Sequence, residues 1–423
     1  MFLLILFYLA LPILQIYLFI SGQFGATTWD ILNFTASILA VHWLLANVLM
    51  SSKIPLLQKV IPYDQRIRFH IFSSLGIVAA VLYHAIFKLT IGFELDPVTL
   101  GLAAALGLTL AGGILWIPVP GLKGLRTYLL NRFSRGKEPD YDRSKQWHGY
   151  FILALGLLII IHITGAGLFV EVPPVSALLY FLLYGFSSGS YLLSRTKLFR
   201  TESRVLSVED KQGIITIRLQ PERKFSYRSG QFTFLETTGA EGRKEEHPFS
   251  FLSSRSGDGE EVSLAIRAVG DFTSDLKALK PGDSVTLRGS FGNFRPGREE
   301  ALCFIASGIG TVPILSILKE LHAAGDTRPI RLFLAVNDRN ELPEREKIEA
   351  ILSSMDNVQV NMMVYNEDGL RFSESFFKEE ISDHRRYSYY LCSSPGVRSI
   401  VVDSLKKLGV RKSSIHFEAF SFA

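Results

Sequence analysis

Cysteine is scarce in this chain. Only Cys303 and Cys392 occur in 423 residues, and both lie in the second half. They offer no disulfide framework, and a reducing cytosolic compartment suits them. Charge is scarce in the first half. Up to about Leu193 the chain is built of long apolar runs; from Ser194 onward it is charged and punctuated by Gly and Pro. That contrast excludes a single water-soluble domain. The N-terminus "MFLLILFYLALPILQIYLFI" lacks a basic flank and a small-residue cleavage site. It reads as a first span and not as a removed signal peptide. Much of the basic excess behind the net charge of +5 sits in loops beside apolar runs, so it is no sign of a nucleic-acid partner.

A helix needs roughly 20 apolar residues to cross a bilayer. Six segments qualify: residues 2–21, 30–50, 69–90, 98–117, 148–169 and 175–193. Lys53, Lys59, Arg66 and Arg68 follow the second. Lys123, Arg126, Arg132, Arg135, Lys137, Arg143 and Lys145 follow the fourth, and Arg195, Lys197 and Arg200 follow the sixth. The other loops hold almost no basic residues, Lys88 being the exception. The positive-inside rule then places the N-terminus, both basic loops and the soluble half in the cytoplasm of a multi-pass cell-membrane protein.

Two of the apolar segments carry histidine at both ends. "HIFSSLGIVAAVLYH" covers 70–84 and "HGYFILALGLLIIIH" covers 148–162, with the same spacing of 14 residues. Fourteen residues fall about 40° short of four helical turns, so each pair shares one helix face, about 21 Å apart along the axis. The third and fifth spans run in the same direction. His70 and His148 therefore share a depth near the cytoplasm, and His84 and His162 share one near the outer side. Facing imidazoles at one depth suit axial ligation of haem iron on both sides, and saturated iron favours electron transfer. Two such layers would make a path of two b-type haems. A lone intramembrane histidine is otherwise a packing residue; it is the matched spacing that favours haem. His42 in "AVHWLLANV" has no such match and reads as a packing or supporting residue.

Residues 198–298 show short alternating strands, such as "RVLSVEDKQGIITIRLQ" and "EVSLAIRAV", which predict an antiparallel β-barrel. Residues 299–423 alternate strand and helix, the pattern of a doubly wound α/β domain. The chain thus divides into an all-α transmembrane domain (1–197), a barrel (198–298) and an α/β domain (299–423). "ASGIGTVPILSIL" follows an apolar strand and opens a helix. Gly308 and Gly310 would let backbone approach a pyrophosphate there, or they simply make a tight turn. The third glycine of the usual fingerprint is absent, and Pro313 stands in that region.

Taken in order, the two histidine pairs, "HPFSF", "VGDFTSDL", "GSFGNF", "SGIGTVP", "LCSSPG" and the terminal "FEAFSF" resemble the NADPH oxidase and ferric reductase superfamily. Its members join a six-helix, two-haem membrane domain to a ferredoxin–NADP reductase-like module. The resemblance implies FAD, NADPH and two haem b as cofactors. His247 would approach the FAD phosphates, with Pro248 beside it; Phe249 would pack on the flavin ring and Ser250 would bond its reactive edge. Gly270 and Thr273 would meet the FAD pyrophosphate. Gly308, Gly310 and Pro313 would shape the NADPH pyrophosphate turn. Cys392 and Pro395 would border the nicotinamide, and Phe420 or Phe422 would cover the flavin. Cys392, Phe420 and Lys88 are the candidate catalytic residues. Arg339 could grip a 2′-phosphate and so select NADPH, or it is a solvated surface arginine. Lys88 could attract superoxide or bind a haem propionate, or it is an interfacial lysine. No calcium loop of the Asp-x-Asp-x-Asp-Gly type is present, so calcium control is not expected. The implied function is electron transfer from cytosolic NADPH through FAD and the haems to an outer acceptor. Oxygen giving superoxide is preferred, and a ferric or cupric chelate comes next. An electron relay to a periplasmic protein is a further reading. Membrane lipid is expected around the spans, with no obligatory protein partner.

Overall fold

A computed structural model describes residues 2–21, 26–58, 60–94, 96–114, 141–165, 174–238, 244–254, 260–368 and 372–418, without the side chains of residues 2, 64, 112–114, 141–146, 339 and 368. The chain divides into two compact units, Met1–Leu198 and Phe199–Phe422.

The first unit is helical. Helix α1 combines Phe2–Ile5, a π-helical stretch Leu6–Ala10, and Leu11–Ile20. It is followed by α2 (Thr28–Ser51), α3 (Tyr63–Thr90), α4 (Pro97–Ile114), α5 (Tyr141–Gly165) and α6 (Pro174–Ser194). Five described stretches are long and apolar enough to cross a membrane: Leu3–Ile20, Thr28–Ser51, Gln65–Thr90, Trp147–Gly165 and Pro174–Ser194. Pro97–Ala111 is a shorter apolar helix. Helices α3 and α5 both begin earlier than hydropathy marks them. Hydropathy registers the apolar core of a helix, whereas backbone hydrogen bonding continues through polar turns.

Arg66 shows the consequence. Expected as an orientation charge in a loop, it lies on α3 with a fully buried side chain. Its Nη1 donates to the carbonyls of Met50 at 3.1 Å and Ser52 at 2.8 Å. A cation there satisfies the unpaired carbonyls at the C-terminus of α2. At the other end of α2, Thr27 and Asp30 form a capping box, which closes two orphan backbone donors.

The second unit begins with a hairpin. Strands β1 (Arg200–Lys211) and β2 (Ile214–Pro221) are joined by Gln212 and Gly213, with φ of 51° and 78°. Positive φ at both positions is the geometry of a type I′ turn, whose twist matches paired strands. With β3 (Phe232–Thr238), β4 (Lys244–Ser250), β5 (Val262–Arg267) and β6 (Ser284–Phe291) they form an antiparallel sheet ordered β4-β3-β6-β1-β2-β5. A short helix α7 (Asp271–Asp275) follows β5. Alternate residues face one core of Val205, Ile215, Ile217, Leu235, Leu264 and Leu287. Pro248 lies on β4, an outer strand of this sheet, where its missing N–H is tolerated.

The rest is a five-stranded parallel sheet: β7 (Ala301–Ser307), β8 (Ile330–Val336), β9 (Val358–Val364), β10 (Tyr387–Cys392) and β11 (Ile415–Glu418). Its order is β11-β10-β7-β8-β9. Helices α8 (Thr311–Ala323), α9 (Arg345–Ser353), α10 (Glu374–Glu380) and α11 (Pro395–Lys407) connect the strands. On β7, Leu302, Phe304 and Ala306 pack with Ile314, Leu315 and Leu318 of α8, while Cys303 and Ile305 pack with Phe377, Val401 and Leu405. Both faces are covered, which is why the strand reads as an unbroken apolar run. The strand order reverses between β7 and β10, the place where open α/β sheets bind ligands.

The turn into β8 is stapled by charge. Arg328 Nη2 lies 2.7 Å from Asp326 Oδ2, and Arg328 Nη1 donates to the carbonyls of Gly297 and Glu299. Burial alone would raise the Asp326 carboxyl, but the hydrogen bonds and charge of Arg328 outweigh it and hold the group below its usual value. A depressed carboxylate stabilises the fold above its unfolded pKa and loses that contribution as pH falls through the folded one. Asp326→Asn is therefore expected to melt earlier than the parent at pH 7. The gap should close below about pH 4, where the unfolded aspartate is protonated. A constant gap in thermal melts from pH 7 to pH 3 would refute this.

Candidate functional site

The helical unit brings the predicted histidines together in pairs. The rings of His70 on α3 and His148 on α5 have centroids 6.3 Å apart at an interplanar angle of 82°. His84 and His162 lie within electrostatic reach of each other and of Lys88. All four rings are half-buried. His148 Nδ1 is 3.0 Å from the Thr109 carbonyl, and His84 Nδ1 is 3.1 Å from Asn33 Oδ1. With Nδ1 as the donor in each, Nε2 is left as a lone pair for a ligand. Asn33 is fully buried, and helical periodicity gave no sign that it would support His84. His70 is framed differently: Asn47 Nδ2 donates to the His70 carbonyl and to Ser74 Oγ, and Ser73 Oγ donates to Asn47 Oδ1. The Tyr8 hydroxyl, from the π-helical stretch, also bonds Asn47. Local π geometry often accompanies function. His42 bonds the Ile38 carbonyl of its own helix and lies against the Tyr180 ring. Lys88 stands over the rings of Phe34 and Phe93, 5.5 and 5.7 Å from their centroids.

In the antiparallel sheet the predicted flavin residues cluster around α7. The His247 ring lies 4.1 Å from that of Phe272, and Phe249 is stacked on the same ring at 6.2 Å. Sequence reading missed Phe272, because it lies on α7 after β5 and its ring contacts with β4 are non-local. His247 Nε2 is 3.1 Å from Glu245 Oε2. Ser250 is buried at the end of β4. Thr273 Oγ1 accepts the backbone N–H groups of Val269 and Gly270, both at 3.0 Å, so it organises the turn that starts α7.

The parallel sheet holds a cavity of about 510 Å³ at its switch point, a volume typical of ligand sites. Arg267, Gly308, Asn337, Tyr365, Pro395 and Arg398 line it. Gly308 has φ of 54°, a conformation that favours glycine. Gly310 is required for another reason: a Cβ there would lie 2.0 Å from the Cys392 carbonyl oxygen. Pro313 is buried in the first turn of α8, where no backbone N–H is needed. Cys392 is fully buried, and burial pushes its thiol well above the usual range. It does not line the cavity, whereas Pro395 does. A protonated, enclosed thiol has no nucleophilic role. Arg339 opens the turn after β8. Phe420 and Phe422 lie outside the described residues. Arg267, which sequence reading passed over, brings a guanidinium to the Gly308 turn; a Cβ on Gly308 would be 3.7 Å from its Nη2. Among the described residues no group of three or more His, Cys, Asp or Glu is placed to hold a lone metal ion.

Residues 201–284 match a family described as FAD-binding domain. The reductase component of propane 2-monooxygenase from Mycolicibacterium goodii is 27% identical over 248 residues, covering 52% of this chain and 67% of that protein. Human dual oxidase 1 is 27% identical over 293 residues, covering 63% of this chain but only 18% of the oxidase. Among solved structures, the flavohemoglobin from Malassezia yamatoensis covers 82% of this chain and 86% of its own, at 15% identity and a TM-score of 0.49. The second unit of the chain is a flavin-dependent oxidoreductase unit of the NAD(P)H-reductase type.

Proposed function

We propose that the chain carries electrons from cytosolic NADPH through FAD and two haems to an acceptor across the membrane, with oxygen reduced to superoxide. The observation that carries this reading is the pairing of His70 with His148, repeated at the same spacing by His84 and His162. The residues fit the group. Each pair draws one imidazole from α3 and one from α5, and bis-histidine ligation needs only two protein ligands per iron. The Nδ1 bonds of His84 and His148 are the supporting contacts that iron-binding imidazoles use. His70 Nδ1 is buried with no hydrogen-bond partner beside a facing imidazole, an orphan that ligand binding could reorganise.

When bound, FAD and haem supply the conversion of a hydride to single electrons and the iron couple that moves them. The chain's residues hold and orient. His70 and His148 would hold one haem, and His84 and His162 the other. Phe249, Ser250 and Thr273 would seat the flavin. The Gly308 turn at the start of α8, with Arg267 and Arg398, would hold the nucleotide phosphates. Arg339, on the turn after β8, would meet the 2′-phosphate. Lys88 would present a cation beside the outer histidines, where negative charge develops on the acceptor.

The test uses purified protein loaded with FAD and haem. A reduced-minus-oxidised spectrum should show a b-type band with two haems per chain, and NADPH under air should yield superoxide. Absence of the band would reduce the helical unit to an anchor. Fast ferric-chelate reduction without oxygen consumption would make a chelate the acceptor. Slow turnover until a periplasmic protein is added would favour a relay.

A further inference from the structure

Arg267 reaches the cavity from the end of β5, beside the Gly308 turn. An anion resting on the start of α8 would draw that guanidinium, since helix N-termini expose unpaired N–H groups. Arg267 is not idle, however. Its Nη2 donates to Glu341 Oε2 at 2.8 Å, with side-chain exposures of 29% and 11%. Glu341 is itself held in place. Asn337 Nδ2 donates to both of its oxygens at 3.2 Å, and the Asn337 backbone N–H lies 3.4 Å from Oε2. Asn337 is also part of the cavity lining.

We propose that Glu341 is an internal rival of the nucleotide's phosphates for Arg267, and so sets the affinity of the cavity for its nucleotide. This rests on reading the cavity as the nucleotide site. A carboxylate 2.8 Å from a half-buried guanidinium cancels much of the field that a phosphate would feel. The nucleotide must then share Arg267 or displace Glu341, and the return of Glu341 favours release of the spent nucleotide.

The turn is built so that this contact can open. Its far end is pinned separately at Glu344, which adopts a left-handed conformation with φ of 49°. Glu344 takes Arg218 Nη2 at 3.3 Å and the ammonium of Lys319. The same ammonium donates to the Leu252 carbonyl at 3.1 Å and is almost fully buried. Glu341 can therefore let go of Arg267 while the turn stays anchored to β2 and α8.

The experiment titrates FAD-loaded, full-length protein with ADP-ribose, which carries the pyrophosphate but neither nicotinamide nor a 2′-phosphate, and separately with 2′,5′-ADP, which carries the 2′-phosphate but no pyrophosphate. Ionic strength is held constant and binding is followed by calorimetry. Glu341→Gln is expected to bind about tenfold more tightly than the parent, the size of one charge-assisted hydrogen bond. Arg267→Met should bind more weakly than the parent. In the Arg267→Met background, Glu341→Gln should change the dissociation constant by less than about twofold, because the two residues act as a unit. Three results would overturn the proposal. One is unchanged or weaker binding by a Glu341→Gln variant that melts like the parent. Another is the same gain without Arg267, which would mark a diffuse charge effect. The third is a gain confined to 2′,5′-ADP, which would make Glu341 a discriminator of the 2′-phosphate. If the parent binds neither probe, the nucleotide-site reading itself fails, and the inference falls with it.

Discussion

Replacement of His84 by leucine is expected to reduce NADPH-driven superoxide formation to background while NADPH still bleaches the flavin at the parental rate. The argument starts from the side chain's one visible bond. His84 Nδ1 is engaged with Asn33 Oδ1, which leaves Nε2 as the atom available to iron. Leucine has no such atom, yet it is apolar and a good helix former, so α3 should persist. Loss of a contact that merely supports a metal ligand costs ten- to a hundredfold, so loss of the ligand itself should cost more. Haem content should fall from two to one per chain, because His70 and His148 are untouched. His42→Leu is the matched control. His42 is more deeply buried than His84, but it bonds its own helix at Ile38 and faces Tyr180, with no second histidine in its described ring contacts. Its haem content and superoxide rate should stay near the parent's. If His84→Leu keeps two haems and full superoxide output, the outer pair is not a ligand set.

Elements set by short-range rules could be read from the sequence. The spacing of His70, His84, His148 and His162 obeys helical periodicity, and the structure puts the rings of His70 and His148 face to edge. The β1–β2 hairpin and the strand–helix alternation after residue 299 follow from local patterning, and the parallel order of β7 to β11 follows from that alternation. What escaped is non-local. Arg267 and Glu341 are 74 residues apart, and each looks like an ordinary surface charge until two sheets bring them together. Asn33 and His84 are 51 apart on different helices, so no single-helix pattern joins them. Arg66 was misplaced because a cation near an apolar run reads the same whether it faces water or caps a neighbouring helix. Cys392 adjoins the cavity-lining Ser393 in sequence, but strand alternation turns its thiol into the core.

Gly310 offers the second large effect, and it separates two reasons for a glycine. Its backbone is ordinary, with φ of −62°, so alanine meets no torsional objection there. The obstacle is space. An added Cβ would lie 2.0 Å from the Cys392 carbonyl oxygen and 2.6 Å from its carbon, both backbone atoms at the end of β10. Neither can rotate away, so the start of α8 and the end of β10 must part. Forced overpacking costs typically 1–3 kcal/mol and more where backbone has to move, so a loss of about 3 kcal/mol is expected for Gly310→Ala. In a unit of this size that is a fall of roughly 6–12 °C in melting temperature. The same displacement opens the cavity, because the Gly308 turn lines it on one side of this contact and Ser393–Pro395 on the other. The KM for NADPH should therefore rise steeply, while dithionite still reduces the haems, whose proposed ligands lie in the other unit. Gly308→Ala is the comparison. There the added carbon would be 3.7 Å from Arg267, ordinary contact, and the penalty is the left-handed φ of 54° alone, about 1–2 kcal/mol. Gly310→Ala should be the more damaging of the two in thermal melts and in flavin reduction by NADPH. The reverse order would mean that torsion, and not the close approach of α8 to β10, is what glycine supplies at this turn.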